Sequence, residues 1–180
     1  YFFQDIASIH SIALSPDQKT MVTTLALDNE AELALWDMQS HRLIRKFRVP
    51  QATQAMLVPQ TELLVAGLST GHLLLLDAVS GEELKRIRPH ENAIIDMVMS
   101  PDGNWLATAD AETVRLWDMR TGDATLALPV KAHKIRFAEG SDALYAGTRR
   151  GGLSRIDLDG AVTQLGPEGP PIEFGDGPQP

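Results

Sequence analysis

The stretch Ser100–Gly122, SPDGNWLATADAETVRLWDMRTG, decides the fold. It opens on a Ser-Pro-Asp-Gly turn and runs through WLATA, a short strand of small and branched residues. It then turns again and closes on VRLWD, an apolar strand ended by Asp118. Period-two apolar runs bounded by Pro, Gly and Asp mark strands and not helices. Three other segments end in the same manner: LALWD at Asp37, LLLLD at Asp77 and LSRID at Asp157. The steps between the four aspartates are 40, 41 and 39 residues, the signature of an internal repeat.

Each period divides into the same four pieces. An alternating run comes first (IHSIALSP, TQAMLVP, AIIDMVMSP and the weaker HKIRFAEG), followed by a polar turn and a short apolar strand (MVTTLAL, LLVAGL, WLATA, ALYAG). The Asp-terminated strand is third, and RLIRKF, ELKRI, ATLAL and AVTQL are the fourth pieces. The expected architecture is all-β: four sheets of four antiparallel strands, with repeat boundaries at residues 7–50, 51–89, 90–130 and 131–165. One four-stranded sheet cannot bury both of its faces, and stacking neighbours around an axis solves that problem.

The chain resembles the WD-repeat family of β-propellers. Trp36-Asp37 and Trp117-Asp118 match the family's name-giving dipeptide, and the third repeat follows the family pattern throughout, beginning at His90. The resemblance implies a blade-stabilising hydrogen-bonded set of His90, Thr108, Asp110 and Trp117, a structural device and not a catalytic one. In the first blade it implies Thr24, Asp28 and Trp36, with Asp5 where the histidine would fall. Leu76 and Ile156 replace the tryptophan in the second and fourth repeats, so those blades are expected to rest on apolar packing. The family most often closes with seven blades. Four repeats therefore suggest part of a longer propeller, a ring completed by a second copy or another partner, or an unusual four-bladed ring.

At 180 residues, 43% hydrophobic and 22% charged, the chain reads as a soluble globular protein, with a cytoplasmic setting favoured but not decided. Its apolar runs, Leu73–Leu76 among them, are far too short to span a membrane. A net charge of −8 argues against nucleic acid as partner, and zero Cys excludes disulfides and thiolate metal sites. Tyr1-Phe2-Phe3-Gln4-Asp5 is not an intact signal peptide, and residues 1–6 read as the remnant of a preceding blade or an extension. From Gly166 to Pro180, four Gly and five Pro make residues 166–180 a tail or linker, with Ile172 and Phe174 its only large apolar residues.

Chemical signals are sparse. Gly67-Leu68-Ser69-Thr70-Gly71 matches the G-x-S-x-G nucleophile pattern, but that pattern needs a helix after the serine, and His72 with four leucines follows instead. The five histidines have no metal-binding spacing, so neither a metal nor any other cofactor is expected. Aligning the repeats places His10, Thr53, Ile95 and His133 at one position, at the start of each innermost strand. The resemblance implies that this position faces a peptide-binding mouth. With Arg149 and Arg150 on the Gly-rich turn Thr148–Gly152, these residues form the candidate binding face. The basic runs Arg42–Lys46 and Lys85–Arg88 fall on outermost strands, where Lys and Arg discourage edge pairing.

The reading that follows is a non-enzymatic interaction scaffold with protein or peptide partners, further blades included. The C-terminal sensor or regulatory part of a larger signalling or defence protein is the alternative. A propeller enzyme is the third reading, and near the axis it would have only His10, Thr53, Asp96 and His133 to work with.

Overall fold

A computed structural model describes residues 8–15, 17–27 and 30–166. The expected site residue Asp28, Asp5, the proposed remnant 1–6, and Ile172 and Phe174 of the tail lie outside these residues.

Sixteen strands form four antiparallel sheets, each taken from one stretch of chain in simple sequence order. Blade 1 is β1 (Ser8–Leu14), β2 (Thr20–Leu27), β3 (Glu30–Asp37) and β4 (Arg42–Arg48). Blade 2 is β5 (Ala52–Leu57), β6 (Leu63–Leu68), β7 (Leu73–Asp77) and β8 (Glu83–Ile87). Blade 3 is β9 (Asp96–Met99), β10 (Trp105–Ala109), β11 (Val114–Asp118) and β12 (Asp123–Leu128). Blade 4 is β13 (Lys134–Phe137), β14 (Ala143–Gly147), β15 (Leu153–Asp157) and β16 (Val162–Gln164). Among the described residues no helix is long and apolar enough to cross a membrane.

The repeat aspartates earn their spacing at the turn between the third and fourth strands. Asp37 accepts hydrogen bonds from the Ser40 amide (2.6 Å) and hydroxyl (2.6 Å), and Asp77 accepts the same pair from Ser80. Asp118 takes Arg120 instead, through its amide and guanidinium, which hold the carboxyl down at about 2. A second serine–aspartate device closes the first turn of blades 1 and 3. Ser15 donates to Asp17 (2.6 Å) and Ser100 to Asp102 (2.5 Å), and each serine oxygen also accepts an amide five residues on.

Alternate residues of the central strands point to opposite sides, and both sides are apolar. The front of blade 2 (Ala55, Leu64, Ala66, Leu74, Leu76) packs on the rear of blade 1 (Val22, Leu33, Leu35, Phe47). The rear of blade 2 (Val65, Leu73) packs on the front of blade 3 (Met97, Leu106, Trp117). The rear of blade 3 (Ala107, Val114, Leu116) meets the front of blade 4 (Ile135, Leu144, Ala146, Ile156). The core is thus a row of three interfaces between successive sheets.

This stacking explains the G-x-S-x-G match. A Cβ on Gly67 would lie 2.8 Å from Met97 Sδ and 2.9 Å from Ile94 Cγ2, both in the next blade. Gly71 has φ +79°, and a Cβ there would run into the His90 carbonyl oxygen. Ser69 is exposed in the turn between β6 and β7, with a strand after it and no helix. Both glycines are therefore there for blade contact. Gly67→Ala should cost about 1–3 kcal/mol through overpacking, whereas Ser69→Ala should stay within about 0.5 kcal/mol. Urea denaturation of the two variants measures both, and equal effects would contradict this assignment.

Candidate functional site

Blade 3 holds a buried chain of hydrogen bonds whose direction follows from counting donors. Thr113 gives its hydroxyl proton to Asp110 Oδ1 (2.9 Å), so it can only accept from His90 Nδ1 (3.0 Å). That leaves His90 Nε2 as an acceptor, served by the Thr108 hydroxyl (2.8 Å), which in turn accepts from Trp117 Nε1 (3.1 Å). The order is indole to Thr108 to His90 to Thr113 to Asp110, with a neutral imidazole. Asp110 stands 3.6 Å from His90 Nδ1, and Thr113, which sequence reasoning passed over, bridges them.

His90 is 1% exposed, and burial pushes its pKa below the ordinary value, with Asp110 pulling the other way. Burial raises Asp110, but the amides of Glu112 and Thr113 and the Thr113 hydroxyl outweigh it and keep the carboxyl ionised.

Blade 1 differs from the sequence expectation by one residue. Trp36 Nε1 donates to Thr23 (3.0 Å), and Thr24 lies on the opposite side of the sheet, taking a hydrogen bond from Ser11 (2.9 Å). A one-residue step along a strand reverses the face, so only Thr23 shares the front with Trp36. In register, Thr23 and Thr108 correspond to Ala66 in blade 2 and Ala146 in blade 4, opposite Leu74 and Ser154 as Thr23 lies opposite Ala34. Where the indole becomes Leu76 or Ile156, the hydroxyl is lost too, so no buried group is orphaned.

The four equivalent inner-strand residues separate into two kinds. His10 is exposed and His133 half-buried. The Thr53 hydroxyl is spent on the Gly67 (3.0 Å) and Ile94 (2.7 Å) carbonyls, joining blades 2 and 3, and Ile95 pairs its amide with Ala109. Thr53 therefore joins two blades, Ile95 extends the β9–β10 pairing within blade 3, and neither presents a free donor to a ligand. Arg149 Nε reaches His133 Nδ1 (3.3 Å), bringing two of the expected residues into contact, while Arg150 is exposed on the same turn.

One position further along lies a polar hub that the repeat alignment could have revealed, because Ser11, Gln54, Asp96 and Lys134 share it. Asp96 is 2% exposed and accepts from Gln54 (3.1 Å), Lys134 (3.3 Å), Arg136 (3.2 Å) and the Ile135 amide (2.8 Å). Gln54 also accepts the Met97 amide (2.8 Å). Three blades meet in this hub beside a cleft of about 590 Å³ lined by His10, Ser11, Gln54, Lys134 and Arg136. Both Asp96 oxygens are committed, and among the described residues no other acid lines the cleft. Among the described residues no three His, Cys, Asp or Glu side chains gather to hold a metal.

The outer basic runs are largely engaged at the surface. Lys46 pairs with Glu32 (3.1 Å) and Arg86 with Glu83 (2.6 Å), and Arg45 crosses to the Val79 carbonyl of the next blade.

Residues 81–118 match the family model described as WD domain, G-beta repeat. The whole arc resembles a chain in the crystal structure of the mitotic checkpoint complex, with a TM-score of 0.73 at 16% identity, covering 86% of this chain and 51% of that one. Residues 81–118 are a WD repeat. The chain is 31% identical over 114 residues to U3 small nucleolar RNA-associated protein 12 of Saccharomyces cerevisiae, a match covering 62% of this chain. It is 27% identical over 113 residues to WD repeat-containing protein 3 of Homo sapiens, and 31% identical over 75 residues to pre-mRNA-processing factor 19 of Schizosaccharomyces pombe. The matched stretch spans only 12% of the first two relatives and 15% of the third.

Two measurements test the buried chain of this WD blade. Thr108→Ala should cost about 1–3 kcal/mol for each group it orphans. Adding Trp117→Leu, which recreates the Leu76–Ala66 pair of blade 2, should cost less than the sum of the two single changes. His90 is neutral in the fold, whereas the unfolded chain takes up a proton near its ordinary value of about 6.5. Stability should therefore fall as pH drops below that value toward the lower folded pKa, and His90→Gln should flatten the fall. Urea midpoints at several pH values across this window give the slope.

Proposed function

We propose that this WD-repeat chain is a non-catalytic interaction scaffold whose principal contact is another β-propeller blade, seated on the front face of blade 1. One observation carries the reading. Ile12 of β1 is 61% exposed, whereas its counterparts Ala55, Met97 and Ile135 are 2%, 4% and 0% exposed, each packed against the blade before it. Leu14 on the same face is 52% exposed, and Leu43 beside Trp36 is 41% exposed. Contiguous apolar surface of this kind marks an interface. Covering Ile12 and Leu14 fully would contribute about 1.5–3 kcal/mol each.

The rear of blade 4 favours a different blade over a second copy of this chain. Where blades 1 to 3 carry Leu35, Leu75 and Leu116, blade 4 carries Arg155, bonded to Asp157 (2.8 Å) and Asp142 (3.3 Å). Tyr145 stands where they have Val22, Val65 and Ala107. Seating that face on Ile12 and Trp36 would bury a guanidinium among apolar side chains, which is costly. The occupant is instead a sheet with Leu and Val on its rear, whether it belongs to this polypeptide or to another. Each relative named above is a much longer protein than the stretch it shares with this chain.

A photo-crosslinking residue at position 12, in the protein produced in cells, tests this directly. Cross-links are expected to alternating Val/Leu strand peptides of a blade-type repeat, and Ile12→Glu should abolish the association. Cross-links to the Tyr145–Arg155 strands of a second copy, or none at all, would refute the proposal.

A further inference from the structure

We propose that the end of blade 4 formed by the start of β13 and the Thr148–Gly152 turn is a docking site for an acidic peptide segment, gripped by Arg149, Arg150 and Lys134. Its cations lie apart from the front face of blade 1, although the neighbouring cleft reaches Ile12 and Leu14, and the test of each proposal alters none of the other's residues.

The chain carries a net charge of −8, yet this end of one blade gathers Lys131, His133, Lys134, Arg136, Arg149 and Arg150. The acids of the same blade (Glu139, Asp142, Asp157 and Asp159) lie at the opposite end of its strands, beyond Phe137 and Ile156. Two carboxylates reach the cationic end. Glu112 meets Lys131 (3.5 Å), and Asp96 is buried and shared by Lys134 and Arg136, two cations for one anion. Arg149 and Arg150 meet no carboxylate among the described residues.

Arg149 turns its Nε to the neutral acceptor His133 Nδ1 and remains exposed. The imidazole accordingly sits in a positive field: burial first, then Arg149 and Lys134, hold it below its ordinary pKa. Cations held this close repel one another, and an arriving anion relieves that repulsion. Two guanidinium groups on one tight turn suit carboxylates, which they bind by paired hydrogen bonds.

The neighbouring cleft gives an extended segment somewhere to run, since Lys134 and Arg136 line its wall with His10, Ser11 and Gln54. Among the described residues no Phe, Tyr or Trp lines it as a stacking platform of the kind single-stranded nucleic acid uses. This favours a peptide over a polynucleotide.

The test uses the 180-residue chain and a fluorescein-labelled hexaglutamate peptide, read by fluorescence anisotropy at low and physiological salt. Binding should be saturable and weaken with salt, and the double variant Arg149→Ala/Arg150→Ala should lose about tenfold or more in affinity. Arg42→Ala/Lys85→Ala removes the same charge from outer strands and should stay within about twofold. Unchanged melting curves would show that both variants are folded. Equal losses in the two variants, no saturable binding, or tighter binding of an equally charged oligouridylate would each overturn the proposal. None of these outcomes bears on the cross-link at position 12.

Discussion

Every part of this molecule answers to the need of a four-stranded sheet to cover both of its faces. A strand turns alternate residues to opposite sides, and here both sides of the central strands are apolar. Only stacking sheet on sheet removes that surface from water, so the row of blades is the core itself and not a container for one. Leu64 and Leu76 lie against Leu33 and Leu35, and Leu106 and Trp117 lie against Val65 and Leu73. The same demand puts glycine at position 67, where even a methyl group would meet Met97 and Ile94.

Polar groups enter these interfaces mostly in matched sets, the buried Arg115 Nε being the exception among the described residues. The indoles of Trp36 and Trp117 come with Thr23 and Thr108, and where the indole is missing the hydroxyl is missing as well. His90 is tolerated because both ring nitrogens are served by threonines, one of which hands the chain on to Asp110. Asp96 is tolerated because Gln54, Lys134, Arg136 and a backbone amide converge on it from neighbouring blades. These hydrogen bonds add direction to a stack that hydrophobic burial alone would leave free to slide.

The two outer faces of the row are unlike. Blade 1 presents Ile12 and Leu14 where an interior blade would be covered, while blade 4 presents Arg155 held by two aspartates. One face is chemically suited to another blade and the other to water or a polar neighbour. The cations at one end of blade 4 add a third character, and an acidic chain is left with a localised positive edge. Recognition in this fold is thus divided among surfaces that the same stacking rule leaves over.

The sequence by itself determined the repeat, its strands and the even spacing of its aspartates, because turn chemistry and period-two alternation are local properties. It also revealed which blades would lack the Trp–Thr pair, since Leu76 and Ile156 stand at readable positions. It misplaced Thr24, since two adjacent threonines look alike along a chain and only the register of β2 against β3 separates front from rear. It missed Thr113 between His90 and Asp110 and the convergence on Asp96, because His90–Thr113 and the contacts to Asp96 join residues 23 to 42 positions apart whose distances no local pattern encodes. That Thr53 is committed between blades while Ile12 is bare was decided by tertiary structure alone, since burial depends on which neighbour each sheet has in space.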